Sequence, residues 1–177
     1  ILRVRPRRSA ALYRRIRTEE GSPIVLHSVA QQERLAERLG DGYRVALGMR
    51  YGTPPLAAAA DELMEAGCER IVVIPLFPQY SCATTASVFD ALAAWARTRR
   101  NVPALTFVRS FPDHPDWIRA LAATTREAQV EPTPESPLLI SFHGIPERYA
   151  REGDPYPREC GATATALAEA LRLAPGA

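Results

Sequence analysis

The chain has 177 residues, with 22 basic and 20 acidic side chains for a net charge of +2, and 46% of it is apolar. That is enough apolar material for one ordinary domain or two small lobes, and it excludes a disordered or low-complexity chain. No apolar stretch approaches the roughly 20 residues of a membrane-spanning helix, and the basic opening at residues 1–8 lacks the apolar core of a secretory signal.

Residues 9–20 are expected to form a helix, with Ala11, Leu12 and Ile16 on one face and arginines on the other. Gly21-Ser22-Pro23 breaks it. Ile24-Val25-Leu26 reads as a short strand or a helix entry, and Ser28 is placed to cap a helix running through Gln31, Leu35 and Leu39 to Gly40. Residues 43–49 read as a strand. Thr53-Pro54 then has the composition of a helix start, and the helix runs through Leu56, Ala60, Leu63 and Met64 to Gly67. Residues 70–77 form a continuous apolar run, which predicts a strand buried on both faces. A helix over 84–97, a strand over 105–108 and a helix over 115–128 follow, the last with Ile118, Leu121, Ala122 and Thr125 inward. The proline-rich connector 131–137 leads to a fourth strand at 138–142. The final helix is expected over 160–173, with Ala164, Leu167, Ala168 and Leu171 on one face.

Strands alternating with helices every 30 residues or so imply βαβ units, a parallel sheet and helices on both of its faces. In such a sheet the C-terminal strand ends share one edge, where ligands bind. Four loops would meet there. They carry Arg50 and Tyr51, then Gln79, Tyr80 and Ser81, then Arg109 and Ser110, and finally His143. His143 ends the run Leu138-Leu139-Ile140-Ser141-Phe142, and Gly144-Ile145-Pro146 stops the strand behind it. A neutral imidazole there can accept a proton near neutral pH or ligate a borderline metal such as ferrous iron. The bland alternative is a ring satisfied by nearby backbone.

The other polar groups carry bland readings of their own. Ser81, Thr84 and Thr85 stand at a helix start, where capping is their ordinary use and an anion site the sharper one. Asp154 before Pro155 sets a turn. Glu147, Glu152 and Glu159 read as solvated charges, His27 and His114 as surface or capping groups, and Trp95 and Trp117 as core or interface. Cys68, Cys82 and Cys160 are scattered, giving neither a disulfide framework nor a CxxC pair, which fits a reducing cytoplasm. All 22 basic residues are arginine, a compositional bias rather than a nucleic-acid surface. The densest cluster, Arg3 to Arg17, is either a solvated helix face or a contact for anionic lipid, so peripheral membrane association stays open.

Several blocks carry a more specific signal. Met49-Arg50-Tyr51-Gly52, Pro78-Gln79-Tyr80-Ser81-Cys82-Ala83-Thr84-Thr85 and Ser141-Phe142-His143-Gly144-Ile145-Pro146 occur in that order, and Gly153-Asp154-Pro155-Tyr156-Pro157 follows. Together with Gly21-Ser22-Pro23 and Asp113-His114-Pro115 they resemble the ferrochelatase family over nearly the whole chain.

The resemblance implies an α/β fold of parallel-sheet, Rossmann-like three-layer lobes of the chelatase type. Residues 1–109 would make most of the N-terminal lobe and 110–177 the beginning of the C-terminal one. It implies insertion of ferrous iron into protoporphyrin IX or coproporphyrin III in the last steps of heme biosynthesis. Ferrous iron and the porphyrin are then the substrates, and no organic cofactor is implied. His143 corresponds to the family's active-site histidine, as proton acceptor or metal-delivering ligand. Arg50 and Tyr51 correspond to substrate-cleft residues, joined by Tyr80 and Ser81 from the second block. Cys82 matches a position that ligates an iron–sulfur cluster in some members; otherwise it is a buried small residue.

The family's opening strand has no counterpart before Ile1, which is not Met. The acidic residue that faces the histidine across the porphyrin is expected beyond residue 177. Two other readings stay open: a sirohydrochlorin-type cobalt chelatase, against which the blocks around Arg50, Gln79 and Asp154 speak, and a non-catalytic tetrapyrrole- or metal-binding module. The isolated 177-residue chain is expected to insert iron or zinc into porphyrin no faster than background. Measured turnover at the rate usual for complete family members would refute this.

Overall fold

A computed structural model of the chain describes residues 14–15, 17–128, 132–133 and 136–173. The expected helix over 9–20 and part of the proline-rich connector lie largely outside these residues. The chain divides into two compact units, Ile1–Glu69 and Arg70–Ala177.

In the first unit, helix α1 spans Pro23–Leu39. Ile24-Val25-Leu26 is therefore a helix entry. Pro23 occupies the first turn, where its missing N–H leaves no bond unmade. Ser28 lies inside the helix rather than capping it, donating its hydroxyl to the Ile24 carbonyl at 2.7 Å. Gly40, at φ +71°, ends α1 and donates its N–H to Ala36 O.

The strand expected over 43–49 is not formed. Within 43–49 only Met49 makes a bridge, to Pro55, and the Val45 carbonyl accepts instead from the Gln32 side chain at 2.9 Å. Apolar alternation favours burial, but a strand exists only where a second backbone runs alongside. Helix α2 spans Leu56–Glu65, two residues later than Thr53-Pro54 suggests, with Pro55 as its N-cap. Gly67, at φ +81°, follows its last turn as expected. Ala59 and Ala60 are buried.

The second unit opens with a βαβ element. Strand β1 (Arg70–Val73) pairs in parallel with β2 (Ala104–Phe107), from Arg70 opposite Ala104 to Val73 opposite Phe107. Helix α3 (Thr85–Ala96) connects them. β1 is shorter than its apolar run, because Pro75 brings no N–H to extend a ladder. It is also not buried on both faces. Ile71 is buried, whereas Val72 is 61% exposed. Helix α4 spans Pro115–Glu127, with His114 as its N-cap accepting from the Asp116 N–H. The short helix α5 (Glu147–Arg151) and the long helix α6 (Tyr156–Leu171) complete the unit. No ladder forms over 138–142 among the described residues, and Leu139 is 89% exposed, so the fourth strand is absent there.

The core of this unit follows helical spacing. Val88, Leu92 and Trp95 line α3, Ile118 and Ala122 line α4, and Cys160, Thr163 and Leu167 line α6, with α4 packed against α6. The arrangement is α/β with a parallel strand pair, as a chelatase-type lobe requires.

Gly48 is the tightest glycine in the first unit. A Cβ there would stand 2.9 Å from Leu56 Cδ2 and 3.0 Å from Leu56 Cα. Since the backbone of α2 cannot yield as a side chain can, Gly48→Ala is expected to lower the unfolding free energy by about 1–3 kcal/mol. An unchanged urea midpoint would sink this account.

Candidate functional site

The loop after β1 carries Pro78 to Thr84, and it is held by residues far away in sequence. The backbone N–H of Tyr80 donates to Glu159 Oε2 at 2.7 Å. Ser81 is fully buried, and its hydroxyl donates to Asp154 Oδ2 at 2.9 Å. The Cys82 N–H donates to the same oxygen at 2.8 Å. Gln79 donates to Thr163 Oγ1 at 2.8 Å, whose own hydroxyl donates to the Pro112 carbonyl at 2.6 Å. Four consecutive residues are thus fastened to one turn and the first half of α6.

The loop after β2 joins the same carboxylate. Arg109 donates to Glu159 Oε1 at 3.0 Å, and Ser110 reaches that oxygen at 3.4 Å. The Arg109 guanidinium also lies over the Tyr80 ring, 4.2 Å from its centroid. Glu159 is only 6% exposed, so it is not the solvated charge that its sequence context suggests. A buried carboxylate is stable only when donors surround it, and here three groups supply them.

His143 is exposed. The Tyr156 N–H donates to Asp154 Oδ1 at 3.0 Å. Asp154 therefore does more than set a turn. It accepts from Ser81 and Cys82 on one oxygen and from the Tyr156 N–H on the other. Burial pushes the Tyr156 hydroxyl above its ordinary value, with Cys160 adding to the effect and the His143 backbone opposing it. Burial likewise raises the Cys160 thiol.

The structure brings Tyr80, Ser81, Arg109 and Ser110 together through Glu159 and Asp154. Arg50 and Tyr51 belong to the first unit, where the Arg50 guanidinium lies 4.5 Å from the Tyr51 ring centroid and Tyr51 is 72% exposed. His27 is exposed, His114 caps α4, and Trp95 is buried.

The family model for Ferrochelatase matches residues 1–176. The chain belongs to the ferrochelatase family.

A protein named Ferrochelatase from Klebsiella pneumoniae (strain 342) is 49% identical over 175 residues, covering 99% of this chain and 54% of that protein. One of the same name from Azoarcus sp. (strain BH72) is 49% identical over 177 residues, covering 99% and 49%. A third, from Escherichia coli O139:H28 (strain E24377A / ETEC), is 46% identical over 175 residues, covering 99% and 54%. The chain spans about half the length of these curated relatives.

Cys82 is exposed rather than buried, Cys160 is buried, and no group of three or more His, Cys, Asp or Glu side chains among the described residues could hold a metal ion. No helix among the described residues is long and apolar enough to cross a membrane.

Burial alone would raise the Asp154 carboxyl, but the N–H groups of Cys82 and Tyr156 and the Ser81 hydroxyl outweigh it and hold the group below its ordinary value. A carboxyl lowered in the folded state stabilises fully above the unfolded value of about 3.9 and loses that contribution as pH falls through the lower folded value. The wild-type chain is therefore expected to lose stability as pH falls from about 5 to 2, and Asp154→Asn to lose less over that range from a lower starting point at pH 7. Urea midpoints measured against pH decide it; parallel acid limbs in the two proteins would refute the assignment.

Proposed function

We propose that the complete protein to which this chain belongs inserts ferrous iron into a porphyrin, protoporphyrin IX or coproporphyrin III, in the last steps of heme biosynthesis. Membership of the ferrochelatase family over residues 1–176 carries the reading. The convergence of the β1 and β2 loops on one buried carboxylate supports it, because a ligand edge needs loops of defined shape. Residues 1–109 form most of the N-terminal lobe in this reading and 110–177 the beginning of the C-terminal one.

The chemistry assigns the roles. Ferrous iron displaces the two pyrrole protons, so in each turnover two N–H bonds break, four metal–nitrogen bonds form and two protons are released. His143, exposed at the end of its apolar run, accepts these protons or passes on the metal. Arg50, Tyr51 and Tyr80 contact the porphyrin. Ser81 contributes through the Tyr80 loop that it holds by its bond to Asp154. Arginine guanidinium groups suit the carboxylates at the rim of the ring. Ferrous iron and porphyrin are substrates, and the protein works in the cytoplasm or at a membrane surface. The basic cluster Arg3 to Arg17, which would make such a surface contact, lies largely outside the described residues.

In the complete protein, His143→Ala is expected to lower the rate of metal insertion by at least about a hundredfold, the usual weight of a general base, while porphyrin binding persists. Assays with protoporphyrin and coproporphyrin side by side give the preferred substrate. Full insertion activity in the variant would remove His143 from the mechanism. Porphyrin binding with no insertion in the wild-type protein would favour a non-catalytic tetrapyrrole-binding module.

A further inference from the structure

Glu159 stands where an apolar residue would be expected. It lies on the face of α6 that also carries Thr163 and Leu167, at 6%, 3% and 6% exposure. Replacing a buried ion pair as a whole by well-packed apolar side chains is often neutral or stabilising, so helix packing alone gives no reason for a carboxylate here. What the carboxylate does is collect donors from two different strand ends. Oε2 takes the Tyr80 N–H from the β1 loop, and Oε1 takes the Arg109 guanidinium from the β2 loop. Arg109 then closes the figure by stacking on the Tyr80 ring. Its side chain keeps 56% of its surface exposed while Glu159 holds it from the buried side at 8%. The product is a tyrosine ring and a guanidinium in a fixed relation, with the guanidinium accessible from outside.

We propose that Glu159 is a positioning residue, which fixes Tyr80 and Arg109 as one recognition face for a planar, carboxylate-bearing ligand. The inference rests on the porphyrin reading above and adds Arg109 to the residues that meet that ligand. A guanidinium with its plane set by a stack and one nitrogen held from behind donates outward in a defined direction, which suits a carboxylate at the edge of an aromatic ring. Tyr80 is held at its backbone by the same group, so removing the carboxylate loosens both partners at once.

The test uses the complete protein and the variants Glu159→Gln, Glu159→Leu, Arg109→Ala and the Glu159→Gln/Arg109→Ala double. Protoporphyrin IX and coproporphyrin III are the probes. Dissociation constants come from quenching of porphyrin fluorescence, KM and kcat from insertion of ferrous iron or zinc, and Tm from thermal unfolding. In each single variant the porphyrin dissociation constant and KM are expected to rise about tenfold, the factor carried by one lost hydrogen bond to a charged group. kcat should stay within about twofold, and the double variant should bind no worse than the weaker single, since all three changes break one unit. Glu159→Gln separates positioning from folding, because it keeps the volume and an acceptor for the Tyr80 N–H, so Tm should change little while porphyrin affinity falls; Glu159→Leu, which leaves that N–H without its acceptor, should lower Tm as well. Unchanged porphyrin binding in the folded Glu159→Gln protein would overturn the proposal, as would a fall in kcat with KM unmoved. A wild-type protein that binds porphyrin but inserts no metal would overturn the catalytic reading alone, and the binding constants would still decide this one.

Discussion

A carboxylate drawn away from water needs donors in place of its hydration shell, and the second unit is organised around two carboxylates, the buried Glu159 and the half-buried Asp154. Glu159 draws in the Tyr80 backbone, Arg109 and Ser110, and Asp154 draws in Ser81, Cys82 and Tyr156. Each acts as a joint between loops with no regular structure of their own. The two-stranded sheet sets where β1 and β2 end, but it says nothing about the path of the chain beyond them. That path is set by hydrogen bonds to the turn at Asp154 and the first turns of α6.

The joint also explains why the loop can be both exposed and well formed. Tyr80 is half-buried and Arg109 half-exposed, yet the atoms that fix them, Ser81 and Glu159, are among the most buried polar residues of the chain. Polar groups buried in this way are costly unless fully satisfied, and that cost keeps the arrangement singular: a partner lost on either side leaves an unpaired charge inside. The loop therefore presents its outer side chains from a rigid base.

Much of this was legible in the residues. The helices announced themselves by Pro at the first turn of α1 and α4, by Gly after the last turn of α1 and α2, and by apolar residues three and four apart. The motif blocks pointed to the family. The strands were less readable, because 43–49 and 138–142 have strand composition but no described partner backbone, and composition cannot report a partner. The role of Glu159 is hidden by the helix boundary. Placing the start of α6 at Cys160 left Glu159 in a loop, where a charge is expected to be solvated. Pro157 favours a start at Tyr156, and from that start Glu159, Thr163 and Leu167 fall on one buried face. Even then the spacing gives burial and not the identity of the donors, which come from residues about 50 and 79 positions earlier.

Those separations bear on the order in which the molecule can be made. The bonds that shape residues 79–82 reach across 72 to 84 positions of chain. Contacts so distant must overcome the entropy of closing a long loop before they contribute anything, so they form late. During synthesis β1, α3 and β2 are complete well before residues 154–163 leave the ribosome. The β1 loop therefore lacks the bonds that give it its shape until α6 docks, and an unfinished chain carries Tyr80 and Arg109 without the carboxylate that joins them.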